Sequence, residues 1–372
     1  MAHDPNNRSA TRIVFAAGGT GGHIYPALAV AEALRAERTE TDIAFLCSDR
    51  AIDARVMGAT DEAWTATSAK PFGVRPLTLA RFARHWGRAL RACRAALREA
   101  DALVVTGGFV SAPAARAARL EGVPVVLLNL DAVPGKASRL IAPRAHTRLT
   151  ASHSDATPSD WERLPPVVRE GICSPADPGN ARGELGLDRD RPTLLITGGS
   201  QGARSLNELI EHTLAHHPDA FAGHQVLHQA GEGDATIARL EQAYARAGVP
   251  AHVVGFLDRM DLAWGASDAA ITRAGAGAVG EAWATRTPAL FLPYPFHADD
   301  HQRVNAQVLV EASGALMVDD KVQASETCAA FVPALERLTD RDARIAMRNA
   351  IEGLGPADGA ARVARRVFQI VS

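Results

Sequence analysis

The chain has 372 residues, of which 47% are hydrophobic and 22% are charged, and its formal net charge is -2. A chain longer than about 300 residues usually forms two hydrophobic cores rather than one. The composition excludes wholesale disorder, and the small net charge gives no global field that would attract nucleic acid, so we expect no nucleic-acid partner.

The cysteines and the hydropathy indicate a cytoplasmic protein. Cys47, Cys93, Cys173 and Cys328 lack the spacing of a zinc site or a disulfide framework, which predicts a reducing compartment. The first ten residues are polar and lack a secretory hydrophobic segment. No stretch stays apolar for the roughly 20 residues that a spanning helix needs, so we expect neither export by that route nor a transmembrane helix.

The first half of the chain alternates short apolar runs with helical patterns. Residues 12–17 read as a buried strand that runs through glycines into a helix with apolar positions at Leu28, Ala29, Ala33 and Leu34. Further apolar runs occupy 42–47, 102–106 and 123–128. Such alternation predicts a parallel sheet with helices on both faces.

A second unit of the same kind follows a junction. The periodicity fades over 152–191, where Pro, Asp, Ser and Gly accumulate. Strand patterns resume at 193–197, 225–228, 252–254, 269–272 and 289–292. We therefore predict one α/β domain over 11–165, a second over 166–350, and a terminal helix within 351–372 that packs back toward the first domain.

Three segments join a strand to a helix through glycines: 18–22, 198–202 and 275–278. A helix N-terminus presents unpaired N–H groups, and glycines let a phosphate approach the main chain. The first segment does not fit the dinucleotide fingerprint, and no P-loop pattern occurs. Glycines that only make tight turns are the alternative, and three such loops in one chain favour phosphate binding.

His23 follows the first glycine segment. An imidazole titrates near neutral pH and can act as a general base, so His23 is our first candidate for that role. The alternative is a packing residue at the start of a helix.

Eight motifs occur in one order along the chain. They are GGTGGHIYPALAVAEAL from Gly18, GGFVSAPA from Gly107, AVPGKASR from Ala132, GGSQGARSLNE from Gly198, HQAGEG from His228, GFLDRM from Gly255, RAGAGAVGEAWA from Arg273 and DDHQRVNA from Asp299. In this order they resemble the MurG family, bacterial enzymes that transfer N-acetylglucosamine from UDP to a lipid-linked muramyl peptide in peptidoglycan synthesis. The resemblance spans about 12–314.

The resemblance implies an α/β protein of the GT-B class, with two Rossmann-like domains facing a central cleft. The N-terminal domain would bind the lipid-linked acceptor and the C-terminal domain UDP-N-acetylglucosamine. The implied reaction is an inverting transfer that converts lipid I to lipid II without a cofactor or metal. Members of the family are peripheral proteins on the inner face of the plasma membrane.

The resemblance also implies donor contacts. The segment matching Phe256 to Met260 lies against uracil, and the glutamate matching Glu281 binds the ribose hydroxyls, which suits a carboxylate because it has two acceptor oxygens. A surface helix residue is the alternative for Glu281. The implied donor set is Thr20, Gly21, Gly22, Ser200, Gln201, Phe256, Leu257, Met260, Arg273, Gly275, Ala276, Gly277, Ala278, Glu281, His301, Gln302 and Asn305.

The acceptor side departs from the family pattern. Gly18, Gly19, Phe109 and Asn129 match acceptor-side positions, but Phe109 replaces a common tyrosine. The usual His-Glu-Gln-Asn run is Leu-Asn-Leu-Asp at 128–131, so Asn129 replaces the usual carboxylate. Asp131 offers a carboxylate instead, which would assist His23 or act as the base itself. A helix N-cap is the alternative for Asp131.

Other departures affect both halves of the chain. Glu170 to Cys173 replaces a segment that carries an arginine, and Ala274 and Ala278 stand where hydroxyl side chains are frequent. These changes leave three hypotheses: a lipid I transferase, a GT-B transferase with another acceptor, and a nucleotide-sugar-binding protein with weakened catalysis. A nucleotide-sugar epimerase is a more distant alternative, because fold alone does not define the reaction.

The stretch from Lys70 to Arg98 lacks acidic residues. Its basic residues are Lys70, Arg75, Arg81, Arg84, Arg88, Arg91, Arg94 and Arg98. Phe82, Trp86, Leu90 and Leu97 form an intervening apolar stripe, which predicts an amphipathic helix lying on an anionic membrane surface. The alternative is a helix whose stripe packs on the sheet and whose arginines face water.

Overall fold

A computed structural model describes residues 10–72, 76–151, 154–199, 202–296 and 300–371. The chain divides into two compact units. The N-terminal unit is formed by the chain up to Arg169 and again from Asp358 onward, and the C-terminal unit is Glu170–Ala357. The predicted terminal segment started at 351, but that point lies within a helix of the C-terminal unit that ends at Glu352.

The N-terminal unit is built on a seven-stranded parallel sheet. The strands are β1 Arg12–Ala16, β2 Asp42–Ser48, β3 Ala63–Thr67, β4 Ala102–Val105, β5 Val125–Asn129, β6 Thr147–Thr150 and β7 Glu162–Arg163, in the order β3-β2-β1-β4-β5-β6-β7. The helices that follow them are α1 Gly21–Glu37, α2 Ala51–Gly58, α3 Pro76–Leu97, α4 Gly108–Glu121 and α5 Lys136–Ile141. Every residue of β4 and β5 is buried, as expected for central strands covered on both faces.

The C-terminal unit repeats this design with a six-stranded parallel sheet. Its strands are β8 Thr193–Thr197, β9 Gln225–Gln229, β10 Ala251–Val254, β11 Ala269–Thr272, β12 Ala289–Phe291 and β13 Ala315–Met317, in the order β10-β9-β8-β11-β12-β13. Its helices are α6 Glu170–Cys173, α7 Pro178–Glu184, α8 Arg204–His216, α9 Asp234–Ala247, α10 Met260–Ala266, α11 Ala276–Thr285, α12 His301–Glu311, α13 Ala324–Thr339 and α14 Arg341–Glu352.

Each sheet has one point at which the strand order reverses. In the N-terminal unit β1 lies between β2 and β4, and in the C-terminal unit β8 lies between β9 and β11. Parallel α/β sheets bind ligands at the carboxyl ends of the strands beside such a switch point. The glycine segments that begin at Gly18, Gly198 and Gly275 all leave strands that flank a switch point.

Helix α3 packs on the N-terminal unit through its second half. Ala89, Cys93 and Leu97 are buried at successive four-residue steps, and Leu90 is packed against the same core. The predicted membrane-facing stripe is therefore wrong at Leu97, because that side chain belongs to the core. No helix in the described part of the chain has both the length and the apolar character needed to cross a membrane.

The last helix, α15 Gly359–Val371, returns the chain to the N-terminal unit. It packs against α1 with Val363, Ala364 and Val367 buried. The Arg38 guanidinium lies 4.2 Å from the Phe368 ring centroid, a cation–π contact. The helix begins where Gly359 N donates to Pro166 O, so its first turn touches the main chain directly.

We predict that Gly359→Ala destabilises the protein. A Cβ at this position would lie 2.1 Å from Pro165 O and 2.6 Å from Pro166 O, so backbone must move, at a cost of about 1–3 kcal/mol. Gly87→Ala is the matched control, because no described atom lies within 4 Å of its added Cβ and alanine favours helix. Urea unfolding should show a lower midpoint for Gly359→Ala alone, and equal midpoints would contradict the prediction.

Candidate active site

The first glycine segment turns the chain from β1 into α1. Gly21 is the first helical residue and Thr20 is its N-cap. Within the described residues the Thr20 side chain makes no capping hydrogen bond, and both Thr20 and Gly22 are exposed. The first-turn N–H groups of α1 are therefore not capped by that side chain, which suits an anionic ligand.

A buried carboxylate that the sequence reasoning missed holds this segment in place. Asp53 on α2 accepts from Gly19 N at 3.1 Å and 2.8 Å through its two oxygens. It also accepts from Ser48 N at 2.8 Å and from Ser48 Oγ at 2.7 Å. A Cβ on Gly18 would lie 2.5 Å from Asp53 Oδ2, so the close approach of this carboxylate requires glycine there.

Phe109 and Arg50 support the same segment from its other side. Arg50 Nη1 donates to Gly19 O at 2.8 Å, and the Arg50 guanidinium lies 4.9 Å from the Phe109 ring centroid. Gly19 has φ of +92°, and a Cβ there would lie 2.5 Å from Phe109 Cε1. Phe109 lacks the hydroxyl of a tyrosine, yet its ring packs against the first glycine segment and carries a cation–π contact.

His23 is oriented by Thr106, which directly follows β4 on the other side of the switch point. Its Nδ1 lies 2.9 Å from Thr106 O, and Thr106 Oγ1 donates back to His23 O at 3.0 Å. A carbonyl oxygen only accepts, so Nδ1 carries the proton and Nε2 is the basic nitrogen. Gly107 and Gly108 have φ of +99° and +73°, and added Cβ atoms would lie 3.2 Å and 3.1 Å from ring carbons of His23.

Burial lowers the pKa of His23, and the negative charges of Asp131 and Asp53 oppose that shift. The ring is therefore neutral at pH 7, the form that accepts a proton. The charge of Asp131 acts on His23, whose Nδ1 hydrogen bond goes to Thr106 O. The alternative of a helix N-cap at Asp131 is wrong, because the N-cap of α5 is Gly135.

Asn129, predicted on the acceptor side, is buried and binds protein atoms. Its Nδ2 donates to Asp131 O at 2.7 Å and to Thr150 Oγ1 at 3.1 Å. The amide therefore fixes the main chain that presents Asp131.

In the C-terminal unit, Ser200 and Gln201 lie outside the described residues, but the ends of their loop are held. Gly199 N donates to Thr197 Oγ1 at 3.1 Å. Asn207 Nδ2 donates to Ala230 O at 2.8 Å, and Gly202, with φ of +70°, is so close that an added Cβ would lie 2.6 Å from the same oxygen. The loop after β8 therefore packs directly on the loop after β9.

Behind these loops lies a buried polar network that the sequence reasoning also missed. His228 Nε2 is 3.2 Å from Asn207 Oδ1 and His228 Nδ1 is 3.0 Å from Tyr244 Oη. Because the Asn207 Nδ2 already donates to a carbonyl, its Oδ1 accepts from His228, and Tyr244 donates to Nδ1. Burial lowers the pKa of His228 to about 3, so this histidine is neutral and structural.

Helix α11 presents open main chain at its first turn. Its N-cap is Gly275, and no described atom lies within 4 Å of a Cβ added at Gly275 or Gly277. Gly277 is exposed, and Ala276 and Ala278 are partly exposed. This turn can therefore receive an anion on its N–H groups.

Arg273, at the end of β11, binds protein atoms in this structure. Its buried guanidinium forms an ion pair with Asp320 at 2.7 Å and donates to Ser205 Oγ at 2.7 Å and to Leu292 O at 2.9 Å. Because these partners come from α8 and from the segments after β12 and β13, Arg273 ties together the elements around the switch point.

The amides predicted to contact the donor sugar also bind main-chain groups. Gln302 Oε1 accepts from Tyr294 N at 2.9 Å, and Asn305 Nδ2 donates to Ala274 O at 3.2 Å. His301 is the first residue of α12 and is partly exposed. These contacts fix the segments that begin at Ala274 and Tyr294.

Glu281 and the predicted uracil segment meet through a neighbouring helix. The predicted uracil segment begins at Phe256, continues through the buried Leu257 and leads into α10, which starts at Met260. Trp264 on α10 donates from Nε1 to Glu281 Oε2 at 2.7 Å. Burial raises the pKa of Glu281 to about 7, and the Trp264 hydrogen bond opposes the shift. The alternative of a plain surface residue is wrong, because the carboxylate is partly buried and bonded.

Comparisons with known proteins agree with this geometry. Residues 13–150 match the glycosyltransferase family 28 N-terminal domain and residues 193–359 the family 28 C-terminal domain. A Clavibacter michiganensis subsp. michiganensis protein named "UDP-N-acetylglucosamine--N-acetylmuramyl-(pentapeptide) pyrophosphoryl-undecaprenol N-acetylglucosamine transferase" is 38% identical over 97% of each chain. A Nocardioides protein of the same name is 37% identical over 96% of this chain and 98% of its own length.

Solved structures show the same fold. The crystal structure of Acinetobacter baumannii MurG superposes with a TM-score of 0.72 at 24% identity, over 97% of this chain and 99% of that one. The calicheamicin glycosyltransferase CalG4 has a TM-score of 0.65 at 17% identity, over 98% and 99% of the two chains. The fold and the two domain matches define a glycosyltransferase of the GT-B class. Within that class, the chain belongs to the MurG family, as its sequence predicts.

We predict that Asp53→Asn destabilises the N-terminal unit. The new NH₂ group would face the N–H donors of Gly19 and Ser48, and each buried donor left unsatisfied costs about 1–3 kcal/mol. Asp61→Asn, at an exposed carboxylate, is the matched control. Urea unfolding should give a lower midpoint for Asp53→Asn only. Two variants with the wild-type midpoint would show that the carboxylate does not hold the segment.

Proposed function

We propose that this glycosyltransferase transfers N-acetylglucosamine from UDP-N-acetylglucosamine to a lipid-linked N-acetylmuramyl-pentapeptide, lipid I, and so forms lipid II in peptidoglycan synthesis. The observation that carries the proposal is His23, whose Nε2 is basic because Thr106 O binds the other ring nitrogen at 2.9 Å. The names of the relatives supply the two substrates.

In the proposed reaction an acceptor hydroxyl attacks the anomeric carbon of the sugar. A new C–O bond forms as the bond from that carbon to the UDP oxygen breaks, so the configuration inverts. His23 Nε2 takes the hydroxyl proton, and the imidazolium that forms is favoured by Thr106 O and by the charges of Asp131 and Asp53. The electron pair of the broken bond leaves with UDP.

The C-terminal unit carries the proposed donor contacts. The first turn of α11, Gly275 to Ala278, receives the diphosphate, whose charge increases as UDP leaves. Phe256 to Met260 packs against uracil, and Glu281 accepts from the ribose hydroxyls. In the same unit, His301, Gln302 and Asn305 are proposed contacts of the donor sugar, and Ser200 and Gln201 are proposed to add donors to the diphosphate. Thr20, Gly21 and Gly22 of the N-terminal unit are further proposed donor contacts. We assign no cofactor or metal to this reaction.

A second candidate keeps the donor and changes the acceptor. It is favoured by the segment at 128–131, where Asn129 serves the main chain of Asp131 rather than presenting a carboxylate. An acceptor other than the lipid-linked muramyl peptide would then bind the N-terminal unit beside Gly18, Gly19 and Phe109.

We also propose that the protein works as a peripheral protein on the inner face of the plasma membrane, held by the segment from Lys70 to Arg98. Leu77 and Leu79 on α3 are 66% and 46% exposed, and five basic residues of the segment are exposed without an ion pair to described residues. These are Arg81, Arg84, Arg88, Arg91 and Arg98. Lys70 and Arg94 instead pair with Asp49 and Glu121, and Arg75 lies outside the described residues.

We predict that His23→Ala lowers kcat for transfer from UDP-N-acetylglucosamine to a short-chain lipid I analogue by about 10²- to 10⁴-fold. Donor binding should stay unchanged, because His23 acts on the acceptor.

Asp131→Ala should lower kcat by about tenfold, since its charge only favours the imidazolium. In the wild type, the acid limb of kcat/KM should lie below the ordinary histidine pKa of about 6.5, because burial lowers the pKa of His23.

The exposed His252→Ala serves as the control and should be as active as the wild type. If Asp131→Ala loses as much activity as His23→Ala, Asp131 is the base. If the wild type binds the donor but leaves this acceptor unchanged, the second candidate is favoured. If the protein binds no uridine nucleotide, both candidate functions are contradicted.

For the membrane proposal, we predict that Arg84→Glu with Arg88→Glu weakens binding to vesicles of anionic phospholipid at least tenfold, because each arginine near such a surface contributes about 1 kcal/mol. Arg341→Glu with Arg348→Glu, on the exposed face of α14, is the matched control. Sedimentation should also show binding that weakens with salt. Absence of vesicle binding at low ionic strength would refute a membrane role for α3.

A further inference from the structure

The hydrogen bond between Trp264 and Glu281 joins two helices of the C-terminal unit. Trp264 lies on α10 and is only 1% exposed, whereas Glu281 lies on α11 and is partly exposed. An indole N–H can only donate, and it meets Glu281 Oε2 at 2.7 Å. The buried ring therefore fixes one oxygen of a carboxylate whose other acceptor positions can serve a ligand.

The carboxylate would otherwise be hard to fix. A glutamate side chain has three rotatable bonds, and ordering it on ligand binding costs conformational entropy. A carboxylate has about four acceptor positions, so one hydrogen bond from Trp264 leaves enough for two hydroxyl groups. A donor on a buried, packed ring is well suited to hold the group before the ligand arrives.

Helix α10 does not depend on this bond for its position. Leu262 and Ala266 pack against Ala181 of α7, and Arg182 Nε donates to Ala266 O at 3.0 Å. The helix end is closed by Ser267 Oγ, which donates to Ala263 O. Loss of the indole N–H should therefore free the Glu281 carboxylate while α10 stays in place.

We propose that Trp264 is a positioning residue for nucleoside recognition, whose N–H holds Glu281 so that the carboxylate accepts from both vicinal hydroxyls of the ribose. The inference rests on the proposed function, which assigns the ribose to Glu281. Because α10 starts at Met260, the last residue of the proposed uracil segment, one short helix links recognition of the base to recognition of the ribose.

The test compares UDP with 2′,3′-dideoxy-UDP by isothermal titration calorimetry. In the wild type UDP should bind more tightly, because only UDP offers the two hydroxyls. At pH 8.5, where Glu281 with its pKa of about 7 is ionised, the affinity of Trp264→Phe for UDP should fall about tenfold, as expected for a hydrogen bond to a charged group, while the affinity for the dideoxy nucleotide changes less than about twofold. The ratio of the two affinities is the readout, and a general loss of structure would lower both affinities together.

Trp283→Phe is the matched control. Trp283 is also buried, lies on α11, and donates from Nε1 to Gly355 O at 2.8 Å, away from Glu281. Its loss removes one indole hydrogen bond from the same unit and should leave the ratio unchanged. A second variant replaces Trp264 with benzothienylalanine, which keeps the ring size and lacks the N–H, so the test stands even where Trp264→Phe fails to fold.

Glu281→Ala separates the two levels of the proposal. If this variant keeps the wild-type ratio, or if the wild type does not distinguish the nucleotides, the assignment of the ribose to Glu281 fails and the role of Trp264 fails with it. If Glu281→Ala binds UDP and the dideoxy nucleotide equally well while both Trp264 variants keep the wild-type affinity ratio, only the positioning role is overturned. The inference is supported if the preference for UDP over the dideoxy nucleotide falls in Glu281→Ala and in the Trp264 variants but stays at the wild-type value in Trp283→Phe.

Discussion

The reversal of strand order beside β1 and β8 is the constraint on which the candidate binding residues of each unit depend. Helices that leave neighbouring strands there run to opposite faces of the sheet, so the loops separate and main-chain groups become accessible at the carboxyl edge. In the N-terminal unit, the first turn of α1 brings His23 and the segment after β4 brings Thr106, and their hydrogen bond selects the tautomer. The same reversal in the C-terminal unit opens the first turn of α11 beside the loop after β8.

Buried polar side chains keep these loops in shape from behind. Asp53 gathers main-chain N–H groups on one side of the N-terminal site, and Arg273 with Asp320 ties three segments together in the C-terminal unit. A buried charge is costly unless it is bonded, and here the partners are the loops themselves. The residues proposed to contact the ligands are therefore positioned by buried charged residues that need not contact the ligands themselves.

The sequence was sufficient to predict the two parallel sheets, the GT-B class and the family, because apolar periodicity and ordered motifs are local signals. The roles of His23 and of the three glycine segments stay predictions. The sequence could not reveal Asp53, which reads as an ordinary residue of an amphipathic helix and finds Gly19 only through the fold. Leu97 was misassigned to the membrane face because an apolar stripe on a helix is compatible both with membrane contact and with packing on a protein core. The Asp131 cap was wrong because helix boundaries depend on cap geometry, and here Gly135 provides the N-cap.

The return of α15 to the N-terminal unit affects how the protein is made. Domains tend to fold as they leave the ribosome, the N-terminal one first. Here the apolar face of α1 that receives Val363, Ala364 and Val367 has no cover until the whole C-terminal unit has been synthesised. Part of the apolar surface of the N-terminal unit therefore stays exposed during synthesis. The unit can complete its fold only after the C-terminal unit, which separates its two chain segments, has been synthesised.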